Sequence, residues 1–312
     1  MLKQLFKNIS NINKSWDKTP FITKLLYFMV AIMIIYLLFF KKDNVEGFED
    51  KSTFIVKKDD KIYDDFYVDV YDKIYFDEVR NDYEIGRIIG STDPTSKSII
   101  ADIGCKSGHI AGNLNKNGYN AIGVDKSKKL IAKAKESYPD TTYKVGDPLK
   151  SMLFQPRSLT HITCLGYSIY EIKNKSQFFM NCFNWLMPGG YLVVHLLNKE
   201  LFDPIHPIGK VIAGVDPQKY SEKRITKTVA SFDNYHYSSN FENKNNETSF
   251  ITELFKHKKN NSVIKNIKKL HMPSQRKILT SIKDAGFIMH SKYEMKACGY
   301  ENQFIYVFTK PQ

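Results

Sequence analysis

Cysteine is scarce in this chain of 312 residues, and the four present, at 105, 164, 182 and 298, have no paired spacing. That excludes a disulfide framework, and the apolar segments around three of them point to reduced, buried thiols in a cytosol-facing domain. The eight histidines form no H-x-x-x-H pair or mixed Cys/His cluster, so no metal site is expected. An acidic excess is also missing. The formal charge is +13, of which residues 1–42, with seven lysines against Asp17, carry +6 and the remainder +7. So mild a surplus in the remainder fits a solvated lysine-rich surface. Hydrophobic content of 42% excludes disorder as the main state and suffices for a buried core.

One long apolar run is present. LLYFMVAIMIIYLLFF, residues 25–40, has no polar side chain except tyrosine hydroxyls, and Phe21 and Ile22 extend it past Lys24. Roughly twenty such residues span a bilayer core, which predicts a transmembrane helix over 21–42 behind an N-terminal tail, 1–20. A long polar leader and no small-residue cleavage site argue against a signal peptide. Residues 43–60 are polar, mixed in charge and expected to form a linker. The main domain is expected over 61–312.

Within it, helical and strand-like stretches alternate. YDDFYVDVYDKIYFDEVRNDYEIGRII, 63–89, has the spacing of one long helix; SIIADIG is an apolar strand; HIAGNLNKNG is a helix closed by Gly118; NAIGVD is a second strand ending at Asp125. Ser127 caps KKLIAKAKESYP, TYKVGD and LTHITCLG supply two more strands, KSQFFMNCFNWLM a helix, and GGYLVVHLL a fifth strand. This order predicts right-handed βαβ units and an α/β, Rossmann-like parallel sheet flanked by helices. Ligands bind such sheets at the carboxyl ends of strands, where Asp102, Gly104, Gly108, Asp125 and Asp147 stand. Asp125 follows Gly104 by 21 positions, the place of a carboxylate that accepts from ribose hydroxyls. A G-x-G-x-x-G register from Gly104 would need glycines at Lys106 and His109. The G-x-x-x-G present leaves a wider turn, suited to a zwitterionic amino-acid tail rather than a pyrophosphate.

DIGCKSGH, GVDKS, VGD, HITCLGYSIYEI and WLMPGGYLVVH, in this order and spacing, resemble the successive motifs of class I S-adenosylmethionine-dependent methyltransferases. The turn resembles the DxGCGTGH type of the small-molecule branch. A membrane anchor with Lys, Asn and Tyr-rich composition is similar to proteins coded by large DNA viruses. The resemblance implies a seven-stranded sheet, with SQRKILTSIKDAGF a helix stopped at Gly286 and IMHSKYEM and QFIYVFTKP the closing antiparallel pair. It implies S-adenosyl-L-methionine as cofactor, with Asp102, Gly104, Cys105, Lys106 and Gly108 in the cofactor turn and Asp125 at the ribose. Asp147 is then expected at the adenine, with Leu165 and Gly166 along the cofactor. Since that cofactor is made in the cytosol, the expectation is a single-pass membrane protein whose domain faces it.

Lys106 departs from the family pattern, which keeps a glycine there. If the turn needs a positive φ, lysine costs on the order of 1–2 kcal/mol; its ammonium then pairs with the cofactor carboxylate, or marks a silent site. Methyl transfer needs positioning and, for some acceptors, a base. His195, at the carboxyl end of the fifth strand, is the first candidate; Tyr170 and Glu171 are the second. His109 is expected as a cofactor contact or cap, and Tyr67 and Tyr71 as a lid or as core. GYSIYEI lacks the [DN]PP[YF] pattern of amino-methylating nucleic-acid enzymes. The insertion, about 200–272, shows alternation in VASFDNYHYS and SFITELFKH, predicting antiparallel strands that turn at ENKNNE and roof the substrate pocket. Its lysines 256, 258, 259, 265, 268 and 269 are expected on a solvated hairpin. The function expected is methyl transfer to a small-molecule or lipid-like acceptor at a membrane. The alternatives are a catalytically silent cofactor-binding module and an RNA methyltransferase at a membrane.

Overall fold

The computed structural model describes residues 19–39, 53–210 and 217–312; the tail before Thr19 and most of the expected linker lie outside the described residues. The chain divides into two units, Met1–Asp50 and Lys51–Gln312. In the first, α1 spans Phe21–Phe39. Behind Lys24 its apolar part, 25–39, is about 22 Å long at 1.5 Å per residue, short of a hydrocarbon core of about 30 Å. Among the described residues no helix is long and apolar enough to cross a membrane. The expectations of a transmembrane helix over 21–42, a membrane partner and a single-pass membrane location are corrected accordingly.

In the second unit, the single helix expected over 63–89 is two. Asp64 and Asp77 each sit in extended backbone and accept a hydrogen bond from the N–H three residues on, Tyr67 at 3.1 Å and Arg80 at 3.0 Å. These N-caps start α2 (Asp65–Tyr75) and α3 (Glu78–Thr92), and Phe76 ends α2 in extended conformation. The other oxygen of Asp77 accepts from the Tyr300 hydroxyl at 2.7 Å, which ties the break to the C-terminal part of the chain.

The main sheet then forms as expected. Its strands are β2 (Ile99–Ile103), β3 (Asn120–Asp125), β4 (Thr142–Val145), β5 (Leu159–Cys164), β6 (Leu186–Leu197), β11 (Ile288–Glu294) and β12 (Gln303–Thr309), in the order β11-β12-β6-β5-β2-β3-β4. All pairs are parallel except those of β12, which runs antiparallel to both β6 and β11. Central strands are buried on both faces, so they are apolar throughout. Ile100 and Ala121 pack under α3, α4 (His109–Lys116) and α5 (Lys128–Ser137). Ala101, Ile162 and Val194 pack with Phe178 and Phe179 of α7 (Lys175–Trp185) and with Ile278 of α8 (Gln275–Asp284). A short α6 (Ser168–Glu171) follows β5.

The insertion is a sheet of its own, in the order β1-β10-β9-β8-β7, built from β7 (Lys227–Ser231), β8 (Tyr235–Asn243), β9 (Thr248–His257) and β10 (Val263–His271). Its fifth strand, β1 (Phe54–Lys58), comes from the stretch expected to be linker and runs parallel to β10, Phe54 opposite Val263 and Lys58 opposite Ile267. Tyr237 and Phe255 bring this sheet down on Tyr67 and Ile74 of α2. The second unit is thus one two-sheet body, with α2 between the insertion and the main sheet's ligand edge. Removing the cap at Asp77 tests the break: Asp77→Ala is expected to cost ~1–2 kcal/mol in urea unfolding, and Asp77→Asn, which keeps an acceptor, well under half of that.

Candidate active site

Parallel register sets Asp102 of β2 beside Gly123 of β3 and Thr163 of β5. The Thr163 hydroxyl donates to Asp102 Oδ1 at 2.7 Å. Burial pushes the Asp102 carboxyl up to about 7; the Thr163 hydrogen bond opposes this, and Glu84 and Asp125 add to it. The chain then reverses. Gly104 and Cys105 both donate to the Val124 carbonyl, at 2.7 and 3.0 Å, and Gly108 donates to the Cys105 carbonyl at 2.8 Å. Three positions in the turn have positive φ: Gly104 at 74°, Lys106 at 53° and Gly108 at 86°. A Cβ at Gly104 would meet Ser168, and one at Gly108 would meet the Tyr143 hydroxyl, each at 2.5 Å, so close packing as well as φ requires glycine at both.

Lys106 therefore occupies a left-handed conformation that costs a non-glycine residue about 1 kcal/mol or more. Its ammonium is anchored, donating to Glu171 at 2.5 Å and to the Tyr63 hydroxyl at 3.2 Å, and lying 3.8 Å from Asp125 Oδ2. Glu171 also accepts from Tyr63 at 3.3 Å and faces Lys268 at 3.7 Å. Burial works against both charges, but their mutual attraction outweighs it: Glu171 is held below the usual carboxylate range, with help from Lys268, and Lys106 well above its ordinary value. Asp125 ends β3 with one oxygen accepting from Ser127 N–H at 2.8 Å and the other from Lys106 N–H at 3.2 Å.

Two cavities meet at this turn. One, about 310 Å³, is walled by Val124, Asp125, Gly146, Pro148 and Ile172. The other, about 150 Å³, is walled by Asp102, Leu165, Gly166, Arg80, Tyr71 and His206, among others. Gly104, Lys106, Ser168 and Glu171 line both and stand at the junction. Cys105 borders the smaller cavity, and Gly108 caps α4 behind it.

Other expected residues fall elsewhere. The Asp147 carboxylate turns to the Leu149 N–H at 2.9 Å and to Lys126 at 3.3 Å, while its neighbours Gly146 and Pro148 form the cavity wall. His195 lies under the loop after β5, its Nδ1 3.0 Å from the Gly166 carbonyl, and burial lowers its pKa to about 3. Tyr170 is in the core, where its oxygen accepts from the Leu197 N–H at 2.9 Å. Neither side chain borders either of the two cavities. His109 stacks on Phe76 with centroids 3.9 Å apart and joins Tyr138, at 2.7 Å, to Asp72, at 3.1 Å. Asp72 in turn accepts from Ser107, and although burial raises its pKa, these partners hold it below the usual range. Tyr71 borders the smaller cavity, whereas Tyr67 is core.

Sequence reasoning missed Tyr63, Lys268, His206, and the Arg80–Glu84 pair at 3.0 Å. Lys268 is not solvated as expected: it shares the inward face of β10 with Asn266 and Leu270, and it borders the smaller cavity. Strand parity with Leu270 was the signal available for it, as parity with Ile251 and Phe255 was for Glu253. Among the described residues no group of three His, Cys, Asp or Glu is placed to hold a metal ion.

Residues 101–194 match the family described as a methyltransferase domain. The ubiquinone biosynthesis O-methyltransferase of Rickettsia felis is 27% identical over 123 residues, 39% of this chain and 50% of that protein. The chain thus spans about half the length of the curated relative it matches. Among solved structures, an S-adenosylmethionine-dependent methyltransferase from Clostridium acetobutylicum superposes with a TM-score of 0.59 at 14% identity, over 79% of this chain and 98% of that one. The SAM-bound amino pentose methyltransferase CalS10 from Micromonospora echinaspora superposes with a TM-score of 0.56 at 15% identity, over 80% and 98%.

A carboxyl whose pKa is raised on folding keeps its proton where the unfolded chain has lost it, so Asp102 makes the fold less stable as pH rises from about 4 towards about 7. Asp102→Asn removes that dependence. Thermal unfolding is expected to show the variant gaining on the parent by roughly 2–3 kcal/mol between pH 5 and pH 8.

Proposed function

We propose that this chain, whose residues 101–194 match a methyltransferase domain, is a class I, S-adenosylmethionine-dependent enzyme that methylates a small polar acceptor. The observation that carries this reading is the pair of cavities joined at Gly104, Lys106, Ser168 and Glu171, with Asp125 facing the larger and Asp102 the smaller. The larger, at about 310 Å³, reaches the lower end of the range for ligand pockets, and its walls suit an adenosine: a carboxylate for ribose hydroxyls, with Val124, Pro148 and Ile172 for a flat apolar base. The smaller, at about 150 Å³, continues from the junction past Asp102 to His206 and Lys268.

S-adenosylmethionine supplies an electrophilic methyl group on a cationic sulfur. Everything else falls to the chain. Asp125 would hold the ribose; Gly146 and Pro148 would bound the base, with Asp147 ordering their loop rather than touching it. Asp102 would meet the ammonium of the amino-acid tail, the positive charge that a buried carboxyl with a raised pKa lacks. Cys105, Gly108, Leu165 and Gly166 would shape the walls. Tyr71 and Phe76 of the α2–α3 segment and Lys268 of β10 close over the smaller cavity and keep water from the acceptor. The aromatic and acidic lining favours a small acceptor bearing hydroxyl or amino groups, a class that includes the amino pentose in the name of the Micromonospora protein.

Lys106 places a positive charge at the junction and holds Glu171 across it. That arrangement disfavours a cationic ligand relative to a neutral one of the same shape. Calorimetry on the full chain is expected to show both S-adenosylmethionine and S-adenosylhomocysteine binding, and Asp125→Ala weakening both by roughly 10- to 100-fold. Lys106→Gly is expected to tighten S-adenosylmethionine by roughly 3- to 10-fold and the neutral homocysteine compound less. Binding that is indifferent to Asp125 would remove the site from consideration.

A further inference from the structure

Building on the methyl-transfer reading, we propose that His206 is the catalytic base of the smaller cavity, its Nε2 offered to the acceptor while Tyr237 and Glu253 hold the ring from behind. Glu253, on the inward face of β9, has no solvent exposure and accepts hydrogen bonds from three phenols: Tyr67 at 2.6 Å, Tyr237 at 2.9 Å and Tyr75 at 3.0 Å. Tyr237 donates its only proton to Glu253, so towards His206 Nδ1, 3.0 Å away, its oxygen is an acceptor. Ser239 Oγ, at 3.2 Å, is a second partner of the same nitrogen. Both described hydrogen bonds of the imidazole fall on Nδ1, and with the Tyr237 proton on Glu253 the tautomer that matches them carries its proton on Nδ1 and its lone pair on Nε2. Packing holds the ring in place: Tyr75 lies against it at 4.6 Å between centroids, and the His206 N–H donates to Thr228 Oγ1 at 3.0 Å. The residue is 3% exposed yet borders the cavity that also contains Asp102, Tyr75 and Lys268. Burial, and then Lys268, lower its pKa to about 3, so the resting ring is neutral.

The step balances as follows. The acceptor's X–H proton, with X an oxygen or nitrogen, passes to Nε2. The pair left on X forms the bond to the methyl group, and the carbon–sulfur pair stays on sulfur, giving S-adenosylhomocysteine. The new imidazolium donates Nδ1–H to Tyr237, whose hydroxyl leads its charge to the Glu253 carboxylate. The proton then leaves to water as product departs. Tyr237 and Glu253 are positioning residues, because they act only through the ring.

Methyl 4-nitrobenzenesulfonate, a small methyl donor, tests the lone pair without knowledge of the acceptor. With the full chain saturated in S-adenosylhomocysteine, peptide mass spectrometry and NMR are expected to find one methyl on His206, at Nε2, and none at this position in His206→Gln. Tyr237→Phe, which keeps the ring and its packing, and Glu253→Gln are each expected to slow that labelling roughly tenfold, one unit of lost basicity. Labelling at Nδ1, no labelling, or labelling at an unchanged rate in both variants would overturn the proposal. Binding of S-adenosylhomocysteine is measured first in each protein by calorimetry. No binding by the parent chain would sink the methyl-transfer reading and the base with it; binding with an unlabelled His206 would sink the base alone.

Discussion

The half-buried ion pair between Lys106 and Glu171 is the contact on which the arrangement of the site depends. It joins the turn after β2 to the helix after β5, the two segments that define a ligand edge in a parallel sheet. It also resolves a local conflict. A lysine in left-handed backbone is strained, and a charged side chain with little access to water is costly. Each is tolerable here because the strained backbone aims the ammonium at a carboxylate, and because Tyr63 and Lys268 complete that carboxylate's surroundings. Breaking such a pair from one side leaves the other charge uncompensated, so the glycine of the wider family pattern is not a neutral replacement in this chain.

The same pair gives the insertion a part in the site. Tyr63 comes from the segment between β1 and α2, and Lys268 from β10, so two of the three groups around the Glu171 carboxylate belong to structure outside the shared sheet. Glu253 and its three tyrosines extend that polar seam inward, between the insertion and α2. A polar network of this kind is worth keeping only when nearly every member finds a partner, and here each phenol oxygen and both carboxylate oxygens do. The seam therefore fixes how the insertion sits on α2, where an apolar contact alone would permit sliding.

Much of the fold was legible in the sequence because the central sheet is read by local rules. Continuous apolar runs gave β2, β3, β5 and β6, and Gly104, Gly108 and Asp125 punctuated their ends where the structure places them. The failures have specific causes. One helix over 63–89 was expected because its apolar spacing runs on, but Asp77 caps a new start and is held by Tyr300, 223 residues away. His195 was assigned to the ligand edge from its place at a strand end. Its register, opposite Ile305, turns it instead beneath Gly166. Tyr63 and His206 carried no local signal, since what gathers them is contact between segments distant in sequence, and for Lys268 the one local signal was its strand parity with Leu270. The apolar run at 25–40 was read by composition, and among the described residues no helix is long and apolar enough to cross a membrane.

The edge strand β1 carries a consequence for how the molecule is made. Phe54 pairs with Val263, so β1 leaves the ribosome long before its partner strand β10 exists. At 5–20 residues per second the wait is roughly 10–40 s. During it, a segment containing Phe54, Ile55 and Val56 presents unpaired backbone, and loop closure over some two hundred residues must precede any gain from pairing. Lys57 and Lys58 in the same strand supply the charge that discourages neighbouring nascent chains from pairing there first. The sheet that roofs the cavities therefore stays incomplete until β10 has been made, although its edge strand is among the first parts of the second unit to appear.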